Sequence, residues 1–450
     1  MSVRRFTLTW RSPWLLIPIG LTAGALLGTT VPATMDPEET PATLVIVSGA
    51  EEGAAGARQA LLDLWNESHP ATPARIQQVP GDADAQHDEM VRYARGEKPV
   101  TADIVNLDVT ALAEFAEFHY IAPWPADRIP TTEYEALMAQ PRASCSYHGT
   151  LYGLPFNTDA GMLFARNSLL GRKPTSTPTT YTWNQIKTVK SSPFAYGGQL
   201  ATYEGLTVNA LEALWAVADE RRAPLSPLGV PTDPAVWREA VTRLFGLNDT
   251  DRANDTDRAN DTDRANDTDR VIDPASTTYH EGQTTAAFGA ERIAFMRNWP
   301  TAFRTLYENA DQHPSAAAAD IVMTPLPGPA VLGGQNLAVL TTSTHGDAAR
   351  ELITFLASEP SQRLLMQLGG YAAATTRTYT RREITNARPY ATNIRTAIQT
   401  SRPRPQTPHY ARFSDELRKL ILETRAAHGK PPANLSQRLT AAAEGRLPPR

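Results

Sequence analysis

The chain reads as an α/β protein built in two lobes. Strand-like and helix-like segments alternate from residue 44 to residue 119, a length of 450 residues exceeds what one ordinary hydrophobic core organises, and residues 151–167 have the pattern of a chain crossing a cleft. Leu44–Ser48 is a short apolar run and predicts a strand. Residues 56–68 place Ala60, Leu61, Leu64 and Trp65 on one helical face. Ile76–Val79 predicts a second strand, Asp84–Arg95 a helix, and Asp103–Leu107 a third strand leading into a helix over Thr110–His119. A β-α-β-α-β-α series of this kind argues for a parallel sheet covered by helices, with a ligand expected beyond the carboxyl ends of the strands. Ser48–Glu52 and Asp108 lie at those ends.

The segment Leu151-Tyr-Gly-Leu-Pro-Phe-Asn-Thr-Asp-Ala-Gly-Met-Leu-Phe-Ala-Arg-Asn167 carries a polar centre, Asn157, Thr158 and Asp159, between two apolar runs bounded by Gly and Pro. Apolar runs of this length read as buried strand pieces, whereas a carboxylate and an amide between them need solvent or a ligand. Beyond it the pattern turns helical at 183–189, 206–218, 234–247, 346–358 and 361–368, with strands expected at Val322–Leu326 and Asn336–Leu340.

Composition narrows the function. The net charge is -5, and residues 248–270 hold eight Asp and four Arg, which leaves the remainder nearly neutral. That balance offers neither a nucleic-acid surface nor a polybasic membrane patch. The single cysteine, Cys145, rules out an intrachain disulfide and a cysteine-rich metal site, and reads as a buried spectator thiol. No Gly-x-Ser-x-Gly elbow, His-Glu-x-x-His pair or phosphate-binding Gly loop ending in Lys-Ser or Lys-Thr is present, and the nine histidines are scattered. A non-enzymatic protein without metal or cofactor is expected.

Arg4, Arg5 and Arg11 precede an apolar stretch from Trp14 to Val31, followed by small residues at Val31-Pro-Ala33. This is an export signal, either cleaved after Ala33 or kept as a membrane anchor, and Pro32–Pro41 reads as a tether. Asn-Asp-Thr-Asp-Arg-Ala repeats with a period of six from Asn248 to Arg270. With no large apolar side chain to bury, the repeat reads as a solvated insert, and it lacks the Gly and Glu of a calcium-binding loop of the EF-hand kind.

The 151–167 segment closely resembles the crossover of bacterial extracytoplasmic solute-binding proteins of the sugar-binding group, soluble receptors of ABC importers that are similar to trehalose- and maltose-binding proteins. The resemblance implies the two-lobed periplasmic-binding-protein fold of type II, with interleaved lobes joined by hinge crossovers. One lobe would comprise 44–155 and 300–342, the other 156–299 and 343–450. It also implies a monomeric receptor that holds a small solute, a di- or oligosaccharide, and docks on permease subunits. The alternative is a membrane-tethered sensory or accessory domain with weak sugar binding. Relatives anchored by a lipidated cysteine after the apolar segment have no counterpart here.

Transferred position by position, the resemblance assigns ligand contact to Glu51, Asp108, Asp159, Trp299, Gly334 and Gln335 of the Gly333-Gly-Gln-Asn336 turn, and Arg377. Glu51 and Asp108 would face the solute from one side, Asp159 and Arg377 from the other or its border. Each has a structural alternative: Glu51 as a charge on a helix dipole, Asp108 as a helix cap, Asp159 as a turn residue, Trp299 as core packing, Arg377 as a solvated side chain. Tyr203–Asn209 also resembles the family and reads as helix-start scaffolding. Thr110, Thr301 and Gln335 stand where relatives often place aromatic rings, so stacking surface is expected to be reduced.

Overall fold

The computed structural model describes residues 43–51, 56–80, 83–171, 180–246, 271–307, 320–388 and 390–446. Residues 1–40, expected to hold an export signal or anchor and a tether, and the hexapeptide repeat at 248–270 lie outside the described residues. Among the described residues, no helix is long and apolar enough to cross a membrane.

The strands, in chain order, are β1 Leu44–Ser48, β2 Ala74–Gln78, β3 Ile104–Asp108, the short hairpin β4 Ser146–Tyr147 and β5 Thr150–Leu151, β6 Gly153–Ala160, β7 Met162–Arg166, β8 Phe194–Gly197, β9 Ile293–Asn298, β10 Ile321–Pro325 and β11 Leu332–Val339. Five of them form a first sheet in the order β2-β1-β3-β11-β6, and four form a second in the order β10-β7-β9-β8. β1 runs parallel to both β2 and β3, as the alternation with helices requires. β11 is inserted antiparallel between β3 and β6.

Each strand follows from its residues. β1 and β7 are buried at every position, the signature of strands covered on both faces. Helix Ala57–Ser68 buries Leu61, Leu62 and Trp65 against the first sheet, and helices Gly346–Ala357 and Glu359–Gly369 add Leu352, Ile353, Leu356 and Leu365 to the same core. Around the second sheet, Phe164, Phe288, Met296 and Met323 pack together. A largely helical core adjoins it, in which Trp215 and Trp237 meet Phe413, Leu417 and Leu439.

The chain passes between sheets at Gly161, between β6 and β7, and again between β10 and β11. A Cβ on Gly161 would lie 2.2 Å from Glu212 Oε1, so only glycine fits the first passage. Glu212 accepts hydrogen bonds from Arg297 Nε at 2.9 Å and Nη2 at 2.8 Å, and from the Val331 amide at 3.0 Å in the second passage. Burial works against the Arg297 charge, but Glu212 outweighs it and holds the guanidinium above its ordinary range.

Two segments depart from the division expected from the resemblance. Ile321–Pro325, expected in the first lobe, pairs with β7 in the second sheet. Residues 346–369, expected in the second, pack on the first core. The physical reason is local: the apolar stripes of those two helices complete the face of β6 and β11, where Leu154 and Leu337 need cover. The strand β9 and the helices Ala391–Thr400, Tyr410–Ala426 and Leu435–Ala443 had not been expected from the sequence pattern.

Candidate functional site

A cavity of about 190 Å³ opens at the carboxyl ends of β3 and β6 and the start of β11. Its first side is built on register. Gly333 stands opposite Asp159, Gly334 opposite Thr158, and Gln335 opposite both Asn157 and Asp108. Gly334 has φ +111°, and a Cβ there would lie 2.6 Å from the Asn157 carbonyl oxygen. At Gly333 a Cβ would come within 3.0 Å of the Trp299 ring, so glycine lets that ring lie against the strand.

Behind this wall is a polar floor. Arg58, in the first turn of helix Ala57–Ser68, donates from Nη1 to Ser48 Oγ at 2.9 Å and to the Gly49 carbonyl at 3.1 Å, and from Nη2 to Gln335 Oε1 at 3.0 Å. Asn106 Nδ2 donates to the same Gln335 oxygen at 2.8 Å and to Ser48 Oγ at 3.0 Å. The Gln335 side chain is thereby fixed as an acceptor on its Oε1.

The second side carries aromatics and acids. Tyr203 stacks on His280 with ring centroids 3.9 Å apart, and its hydroxyl donates to Glu281 Oε2 at 2.8 Å. Burial and the neighbouring Glu281 raise the Tyr203 phenol above its ordinary range, so it stays a donor. Trp299 Nε1 donates to Glu281 Oε1 at 3.4 Å, while Arg297 lies 4.0 Å over the Trp299 ring. Arg404 joins the sides. It donates from Nη2 to Asp108 Oδ1 at 3.0 Å and from Nη1 to Glu204 Oε1 at 2.8 Å. Burial opposes its charge, but Asp108, Tyr410 and Glu204 together raise it. Glu204 also accepts from the hydroxyls of Tyr410 and Ser414.

Chemically, the wall offers carboxylates, an amide and guanidinium groups that can hydrogen-bond hydroxyls, and the rings of Trp299, Tyr203 and Tyr371 that can cover apolar faces. The profile of the family described as bacterial extracellular solute-binding protein matches residues 66–392. The chain belongs to this family. A curated relative, the probable ABC transporter-binding protein of Deinococcus radiodurans, is 26% identical over 375 residues, 77% of this chain and 79% of that protein. Among solved structures, maltose-bound MalE3 of T. maritima is similar at a TM-score of 0.71, with 21% identity, covering 90% of this chain and 99% of that one. The GacH receptor of Streptomyces glaucescens is similar at a TM-score of 0.68, with 17% identity and 90% and 99% coverage. Both likenesses establish the two-lobed fold.

Within this solute-binding protein, Asp108, Asp159, Trp299, Gly334 and Gln335 come together in the cavity wall. Asp108 also serves the structural alternative, accepting from the Thr110 amide at 2.9 Å at the mouth of the next helix. Trp299 does both as well, since its ring packs against the helical core and lines the cavity. Glu51 is not in the cavity wall: its Oε1 accepts from the Arg58 amide at 3.0 Å, at the exposed N–H groups of a helix start. Arg377 is exposed on the turn Thr376–Thr380, away from the cavity.

Asp159 belongs to the same sheet as Asp108, and not to the opposite side, because the passage comes two residues later at Gly161. Asn336 turns away and donates to the Ser144 carbonyl at 3.0 Å. Cys145 is buried there, its thiol pushed up by burial. Tyr203 and Glu204, expected as scaffolding, stand in the wall with Arg58, His280, Glu281 and Arg404. Two of these had a signal. Arg58 interrupts the apolar stripe that continues at Leu61, Leu62 and Trp65, and Arg404 lies between Pro403 and Pro405, which hold the backbone extended.

Proposed function

We propose that the protein is an extracytoplasmic receptor that captures a small solute, a di- or oligosaccharide, between its lobes and delivers it to the permease of an ABC importer. The convergence of Asp108, Asp159, Gln335 and Trp299 on one polar cavity beside the sheet-to-sheet passage carries this reading. Closure is a hinge motion about Gly161 and Ala330–Leu332, selected by a solute that touches both sides. The maltose and acarbose of the similar structures support a glycan as the solute. Capture leaves the solute chemically unchanged, and the receptor acts as a monomer.

Calorimetry of the purified protein against trehalose, maltose and related sugars tests the proposal. Saturable heat with at least one sugar is expected; silence with every sugar refutes it. The Trp14–Val31 run supports a second reading, a receptor-like domain held on the outer face of the membrane. Mass measurement of the mature N-terminus decides between the two: a start after Ala33 means a diffusing receptor, and an intact Met1 means a tether.

A further inference from the structure

Arg58 is more than a tie for the loop after β1. The residue is 3% exposed, and while its backbone amide donates to Glu51, the hydrogen bonds of its guanidinium go to neutral acceptors on Ser48, Gly49 and Gln335. Its Nε has no hydrogen-bond partner among the described residues. The rings of Phe156 and Tyr371 lie 5.6 and 5.4 Å from the guanidinium carbon. Tying a loop to a strand needs two donors and no net charge. Burying a charge without a counter-ion is costly, and dipoles and ring faces offset only part of that cost.

Three of the four carboxylates of the wall are engaged elsewhere: Asp108 and Glu204 share Arg404, and Glu281 accepts from Tyr203 and Trp299. Arg58 is thus a guanidinium in the cavity wall, held in place by three hydrogen bonds and forming no ion pair among the described residues. A planar guanidinium fork matches a carboxylate or a phosphate, and bonds between ionised partners are about twice as strong as neutral ones.

We propose that Arg58 grips an anionic group on the solute, so that the receptor selects an acidic polyhydroxyl compound, bearing a carboxylate or a phosphate, over its neutral counterpart. This rests on the receptor reading above and narrows its solute class. Hydroxyls of the same solute are held by Gln335, Asp159 and Glu281, and Trp299 supplies the stacking face.

The experiment is calorimetry of the purified full chain with glucuronate and glucose 6-phosphate as the anionic probes and glucose, maltose and trehalose as the neutral ones. At least one anionic probe is expected to bind at least about tenfold more tightly than glucose, and the ratio to shrink as salt is raised. Which probe wins tells a carboxylate from a phosphate. In Arg58→Gln the anion-to-neutral ratio should fall about tenfold, and Arg58→Lys should restore part of it. Neutral sugars binding as tightly as the anions overturn the inference and leave the receptor reading standing. Silence with both classes overturns the two together. The wild-type ratio and its salt dependence read the proposal even if the variants do not fold.

Discussion

Glu212→Leu is the most telling perturbation of the passage between the sheets. Glu212 holds Arg297 through two hydrogen bonds and the Val331 amide through a third, and Arg297 is 1% exposed. Deleting the carboxylate leaves an uncompensated buried guanidinium, at a cost of about 3–5 kcal/mol. With roughly 350 described residues and about 2.1 cal/mol/K of unfolding entropy per residue, the midpoint entropy is about 0.7 kcal/mol/K. The melting temperature should therefore fall by about 4–7 °C in differential scanning calorimetry. Arg297→Met alone should cost about as much, because it strands Glu212. The double variant should lose only what the Val331 amide forfeits, about 1–3 kcal/mol, because an apolar pair can replace a buried ion pair of similar volume. Additive losses in the double variant, or a shift below about 1 °C in Glu212→Leu, would refute the reasoning.

Three further tests bear on the wall and its surroundings. Gly334→Ala forces a Cβ to within 2.6 Å of the Asn157 carbonyl oxygen at φ +111°, and thermal melts should show a loss of about 1–3 kcal/mol or more, together with weaker solute binding. Trp299→Ala removes the ring that lies on Gly333, and calorimetry with any sugar found to bind should show affinity falling about threefold to tenfold. His87 donates from Nε2 to Glu114 at 2.8 Å, and although burial opposes its charge, Glu114 and Asp88 raise its pKa. A raised histidine stabilises fully below its unfolded pKa of about 6.5 and loses that contribution as pH climbs through the higher folded value. Melts across this window should show a steeper decline with pH in the wild type than in His87→Gln, and equal slopes would refute the assignment.

The first sheet was legible because burial on both faces leaves an uninterrupted apolar run, as at Leu44–Ser48, and because helices between strands announce parallel pairing. β9 was hidden by Arg297 and Asn298, polar residues in a strand that is nonetheless buried throughout. Their polarity is satisfied by Glu212 and Thr285, partners distant in sequence that no local pattern reveals. Asp159 was found because it falls at a fixed point of the 151–167 motif, and Asp108, Gly334 and Gln335 because the resemblance extends to the end of the third strand and to the Gly333-Gly-Gln-Asn336 turn. Glu51 and Arg377 misled for the opposite reason. A carboxylate near a helix start serves the helix amides as readily as a ligand, and only the fold tells which.

One guanidinium spanning two elements has a mechanical meaning. Arg404 holds Asp108 at the end of β3 and Glu204 at the head of helix Glu204–Arg221, so any motion that parts these elements must separate charges of opposite sign. In the closure proposed above, Arg404 acts as an electrostatic latch on the jaws. Because Asp108 is nearly half exposed while Arg404 is sealed in, added salt should loosen the Asp108 side first and leave the Glu204 side fastened, so the jaws open from one rim.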